Sequence, residues 1–312
     1  MTSIRELTTS SVDNTVKKAT FIDEPHRFDE WCNLLKEKYP NLDDISCCYS
    51  KLIEINVPYI KNLYCSHNEL EKINCINVRN ITCFDNRLTE LDCPNAVKVD
   101  CNGNLLTHLN CPNAESIMCG NNQLTELDCL KASNVSCYHN MLTELDCPIA
   151  TDIYCFDNNL TKLNCPNVIE LECDENQLTE LNCPKVIVLD CSKNNLTELD
   201  CPNAKYITCY DNELTKINCP EVIELYCENN QLTELNCPNA KIIYCYNNPN
   251  LRIINAPKLR ELTYDNTIGT IIPTELDEPI ICDANNNVLD YTKIVEQVIQ
   301  SKQKYTKSAR KL

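Results

Sequence analysis

Leucine recurs at positions 52, 70, 88, 106, 124, 142, 160, 178, 196, 214 and 232, an unbroken 18-residue period over eleven coils. Counting that leucine as position 1, position 4 is leucine or isoleucine, positions 9 and 12 are aliphatic or alanine, and positions 6 and 14 are cysteine in nearly every coil. Position 17 is asparagine throughout, from Asn68 to Asn248. Positions 12 and 14 alternate with variable positions 11, 13 and 15, the two-residue period of a strand with one buried face. A fixed period of this length marks a stack of coils, each burying its apolar side against its neighbours. Proline at position 7 has no backbone donor and stops a helix, so the return arm is expected to be extended or turn-like.

Read from position 9, the coil is A-x-x-I-x-C-x-x-N-x-L, which resembles the leucine-rich repeat signature L-x-x-L-x-L-x-x-N-x-L over roughly residues 34–289. The resemblance implies an α/β repeat solenoid, a right-handed superhelix with a parallel sheet on its concave side. Because the coil is short, the convex side is expected to be mostly non-helical. The asparagines suit the tight turn leaving each strand, where an amide can satisfy backbone groups. A left-handed β-helix shares the 18-residue coil but needs small or aliphatic residues at position 18, where this chain has Glu69, Arg87, Gln123, Asn159, Gln177 and Glu213. The bias toward Asn, Ile, Lys and Tyr is similar to that of proteins from AT-rich genomes, including the repeat proteins of giant DNA viruses.

The ends depart from the period. Residues 1–20 are expected to be disordered, 21–51 to form a helical cap and a degenerate first coil, and 52–250 to hold the regular coils. Residues 251–288 read as degenerate terminal coils and 289–312 as a capping helix with a basic tail. Phe28, Trp31, Cys32 and Leu35 share one helical face between Pro25 and Pro40, and Tyr291, Ile294, Val295, Val298 and Ile299 share another.

Twenty-three of the 25 cysteines fall in positions 6 and 14, including Cys47 and Cys282, which leaves Cys32 and Cys48 outside. In those columns they read as small hydrophobes filling a thin core. The first residues lack a secretory signal, and no C-x-x-C pair is present, so a reducing, cytoplasmic setting without disulfides or metal is expected. The competing reading is a structural, redox or metal-buffering protein whose thiols are the working element. His26, His67, His108 and His139 have no recurring acid or cysteine partner in sequence, so no catalytic residue or cofactor is expected. Cys48 is the one thiol placed on the outward face.

A net charge of −17 disfavours duplex nucleic acid and anionic membrane and favours a basic protein or peptide. Ten of the 19 aromatic residues occupy outward strand positions. Tyr64, Tyr154, Tyr226 and Tyr244 stand at position 13, Phe84, Tyr138, Phe156, Tyr210 and Tyr246 at position 15, and Tyr206 at position 11. Interleaved are Asp100, Asp152, Glu170, Glu172, Asp174, Asp190, Glu224 and Glu228. Aromatic anchors ringed by carboxylates suit a protein or peptide surface, although cross-strand aromatic pairs also simply favour a sheet. The sequence thus reads as a non-enzymatic interaction scaffold. Threonine at position 2, from Thr89 to Thr233, sits beside glutamates and reads as turn chemistry.

Overall fold

The computed structural model describes residues 16–21, 25–264, 270–271 and 280–282. The expected C-terminal capping helix and basic tail, and most of the terminal coils beyond 264, lie outside the described residues. The chain groups into two compact units: the first reaches Ala150 and includes Tyr154–Asn159, and the second takes Thr151–Ile153 and Leu160 onward.

Each unit is a stack of coils carrying a three-residue main strand at positions 11–13. In the first unit the parallel order runs Lys18–Thr20, Asp44–Ser46, Asn62–Tyr64, Asn80–Thr82, Lys98–Asp100, Ser116–Met118 and Asn134–Ser136. In the second it runs Glu170–Glu172, Val188–Asp190, Tyr206–Thr208, Glu224–Tyr226, Ile242–Tyr244, Glu261–Thr263 and Ile280–Cys282. Consecutive coils align with no slip, because a one-residue shift would turn the aliphatic position 12 out to solvent.

The chain enters the first sheet earlier than the sequence suggested. Lys18–Thr20 pairs in parallel with Asp44–Ser46, although residues 1–20 were expected to be disordered. The reason is local: Ala19 and Phe21 are buried, and the Phe21 ring meets Phe28 and Trp31 edge-on at 5.1 and 5.2 Å. The helix Phe28–Lys38 follows, and its buried residues are Phe28, Trp31, Cys32 and Leu35.

The return arm is more regular than proline alone predicted. Positions 3–5 form a second short strand in most coils, and these pair in small groups: Glu54–Asn56 with Lys72–Asn74, Glu90–Asp92 with His108–Asn110, and Glu198–Asp200 with Lys216–Asn218. Between the two strand sets lies the core, built from positions 1, 4, 6, 9, 12 and 14. Burying each leucine or isoleucine contributes about 1.5–3 kcal/mol. Every cysteine from Cys32 to Cys245 except Cys48 is buried.

The turn leaving each main strand has a fixed conformation. Position 16 is left-handed in all eleven coils, from His67 (φ 55°) to Asn247 (φ 55°), and only Gly103 is a glycine there. That region costs L-residues about 1–2 kcal/mol, least for Asn and Asp. The asparagine that follows offsets the cost. Asn86 Nδ2 donates to the carbonyls of Cys83 (3.0 Å) and, one coil back, Cys65 (3.1 Å), while its Oδ1 accepts from Leu70 N–H (3.0 Å). The same bonds recur at Asn104, Asn122, Asn194, Asn212 and Asn230. The asparagine ladder therefore joins each coil to its neighbour as well as closing its own turn.

Candidate functional site

With core positions pointing inward, the side chains of positions 11, 13 and 15 are left on the other side of the main strands. In the first unit they assemble around rings. Tyr138 and Phe156 stack at 4.9 Å with their planes 7° apart. His139 meets both rings edge-on and bonds Asp157 through Nδ1. Room for this comes from Gly120: a Cβ there would lie 2.6 Å from the Tyr138 ring. A second group joins Tyr49, stacked on His67 at 4.4 Å, to Phe84, edge-on to His67 at 4.7 Å. His67 Nδ1 also lies 3.1 Å from Asp85. These two histidines do have acid partners, one coil away at the same position, which a scan for neighbours in sequence could not find.

Other residues of this unit are placed singly. Tyr64 stands exposed, Tyr154 is half-buried, and Asp100 accepts from Asn102 Nδ2 at 3.0 Å. Burial pushes the Asp100 carboxyl above the usual carboxylate range.

In the second unit Tyr226 and Tyr244 stack at 5.2 Å and 28°. The Tyr244 hydroxyl donates to Glu261, a bond that together with burial lifts the phenol to about 12. Tyr206 is exposed, and Tyr210 and Tyr246 are half-buried at position 15. Glu228, expected to face solvent with the other acids, is instead buried; Tyr210 and Tyr246 hold the same position in the adjoining coils. Burial, with Asp211 nearby, pushes its carboxyl up.

Glu172, Asp174 and Asp190 form an acidic patch in this unit. Asp190 accepts from Ser192 Oγ at 2.6 Å. Burial and then the Asp190 charge raise both neighbours, Asp174 to about 6.

The cysteines offer less. Burial pushes Cys75, Cys111, Cys165 and Cys201 to about 12, so these thiols stay protonated at neutral pH. Two stacked pairs touch, Cys129–Cys147 at 2.9 Å and Cys219–Cys237 at 3.8 Å between sulfurs, both longer than an S–S bond. Among the described residues no group of three or more His, Cys, Asp or Glu has the arrangement of a metal site. No helix among them is long and apolar enough to cross a membrane.

Two cavities open on the second-strand side, away from the rings. One, of about 480 Å³, is lined by His108–Asn110 and Glu126–Leu130, and one of about 680 Å³ by Glu198–Asp200, Thr215–Asn218 and residues from Thr233 to Asn236. Both fall where second strands fail to pair, and they expose a pattern in the sequence longer than one coil. From Leu88 the coils repeat in threes, a period of 54 residues: position 5 reads Asp92, Asp146, Asp200, then Asn110, Asn164, Asn218, and position 3 reads Glu90, Glu144, Glu198. Aligning single coils hides this period; aligning triplets shows it.

No family model matches the sequence, and no curated protein does. Solved structures do. YopM from Yersinia enterocolitica WA-314 superposes with a TM-score of 0.61 at 22% identity, covering 78% of this chain and 59% of that one. The fold is a leucine-rich-repeat fold. A second leucine-rich effector, YopM from Yersinia pestis, gives a TM-score of 0.56 at 24% identity and 78% coverage of both chains. The LRIM1/APL1C complex gives 0.61 at 15% identity, covering 89% of this chain and 68% of that one. The chain thus spans little more than half the length of the first of these leucine-rich repeat proteins, and at such identities the likeness concerns the fold.

Proposed function

We propose that the protein is a non-enzymatic interaction scaffold that binds a protein or peptide across the outward side chains of its main strands. The observation that carries this reading is the gathering of rings at positions 13 and 15 into stacked groups beside carboxylates, on the side of the coil that the core does not use. Stacked aromatics bordered by charge give large contact area with directional polar contacts, the composition of binding hot spots. The leucine-rich repeat neighbours support a protein partner in general terms, one of them being a complex of two named proteins. The acidic surroundings favour a basic partner. A thiol-based role fits less well, since every cysteine from Cys32 to Cys245 except Cys48 is buried away from solvent.

The test is quantitative capture of partners by the wild type and by a variant carrying Tyr154→Ala, Phe156→Ala, Tyr226→Ala and Tyr244→Ala. Loss of the bound proteins with the fold intact supports the reading; retention of all of them sinks it.

A further inference from the structure

Glu228 carries a polar atom with nothing to bond to. The residue is 7% exposed, and its Oε2 is closed off from solvent with no hydrogen-bond partner. Register sets it between two tyrosines of position 15: Asp211 N–H donates to Glu228 O and Asn229 N–H to Tyr246 O, both at 3.1 Å, with Tyr210 one coil back. The Tyr226–Tyr244 stack occupies position 13 alongside. Asp211, Glu224 and Glu261 belong to the same patch, and among the described residues no lysine, arginine or histidine forms an ion pair with any of these four acids. Asp211 takes a bond from Asn229 Nδ2 (2.6 Å), and Glu261 takes one from Tyr244, so Glu228 is the acid left with an orphaned oxygen.

We propose that Glu228 is the receptor for one lysine or arginine side chain of a basic protein segment, which reaches it by parting the rings of Tyr210 and Tyr246. The inference rests on the main-strand face being a protein-binding surface and specifies the chemistry of its partner. A cationic head group supplies the donor that Oε2 lacks, and ring faces on either side hold a cation by its attraction to their π-electrons. The three remaining acids oppose no part of this and add long-range attraction. An anionic or wholly apolar segment would leave the carboxylate buried and unmatched, which selects against it.

The test uses the full chain and two synthetic probes, a glycine-serine heptapeptide with one central arginine and its counterpart with neutral citrulline. Both are titrated at millimolar concentration and raised salt, which screens attraction to the net charge. The arginine peptide binds the wild type about tenfold tighter than the citrulline peptide and shifts the ring resonances of Tyr210 and Tyr246, the gain expected of a desolvated cation between rings. Glu228→Gln keeps its circular dichroism and loses that preference, whereas Glu198→Gln with Glu234→Gln on the second-strand side retains it. The proposal is overturned if Glu228→Gln still prefers arginine, or if the wild type shows no preference. An arginine preference that survives Glu228→Gln but disappears with Tyr226→Ala and Tyr244→Ala rejects Glu228 while keeping the binding face.

Discussion

Positions 3 and 5 lie on the same coils as positions 13 and 15, yet only the former keep a three-coil cadence. Between Leu88 and the coil at Leu232, Glu90, Glu144 and Glu198 correspond, as do Asp92, Asp146 and Asp200, and Asn110, Asn164 and Asn218. The matching places at position 13 hold Asp100, Tyr154 and Thr208, then Met118, Glu172 and Tyr226. The difference follows from what holds each strand. Second strands are joined by side-chain pairs, Asn110 Nδ2 to Asp92 Oδ1 at 2.6 Å and Asn218 Nδ2 to Asp200 Oδ1 at 2.8 Å. Beyond Asn110 and again beyond Asn218 the second-strand ladder breaks off, and a cavity opens at each break. The main sheet is held by the buried residues of positions 12 and 14 and by the asparagine ladder, so its outward positions are released from structural duty and can differ coil by coil.

The largest effect is expected where the scaffold is closed. Asn194→Ala leaves the buried Leu178 N–H without its acceptor and takes one donor each from the Cys173 and Cys191 carbonyls, which keep their bonds from Asn176 and Asn212. Urea denaturation is expected to show a loss of about 3 kcal/mol, since the unsatisfied N–H costs about 1–3 and each lost bond about 0.5–1.5. Asn110→Ala acts on the repeated second-strand pair, which is exposed, and is expected to cost about 1 kcal/mol without changing partner capture. A larger penalty, or lost binding, would erase the distinction between the two faces.

Gly120→Ala acts on the main-strand face. The new methyl drives the Tyr138 ring off its place, so capture weakens several-fold while the stability change stays near 1 kcal/mol, the scale of a displaced aromatic pair. Acidity gives a smaller, signed effect. Asp174 sits at about 6, and Glu172 and Glu228 are also raised, so the folded chain binds these protons more tightly than the unfolded one. The Asp174 contribution is full below about pH 4 and is lost as pH rises through about 6, and the other two carboxyls act in the same direction, so the denaturation midpoint falls across that window. Asp174→Asn flattens the slope. Smallest is thiol labelling of the native chain: Cys48 reacts quickly, and the buried cysteines only on unfolding.

Much of the architecture was legible because one physical pattern was written eleven times. The strand, the inward cysteines and the asparagine turn each follow from a column that repeats without exception or nearly so. What stayed hidden depends on neighbours 18 residues away: the Asp–Asn pairing of second strands, the His139–Asp157 and His67–Asp85 contacts, and the space that Gly120 leaves for Tyr138. Glu228 was misplaced for the same cause, since position 15 is outward by period and the side chain is nonetheless buried among the adjoining coils. The strand at Lys18–Thr20 was missed because three residues inside a polar leader carry too little periodicity to read.

The main-strand face is expected to carry the partner, and the second-strand face only the scaffold. The most direct measurement is side-by-side quantitative capture with two variants of equal fold, Tyr226→Ala with Tyr244→Ala against Glu198→Gln with Glu234→Gln. The tyrosine variant is expected to lose the bound partner and the glutamate variant to keep it; the reverse outcome would contradict binding at the main-strand face.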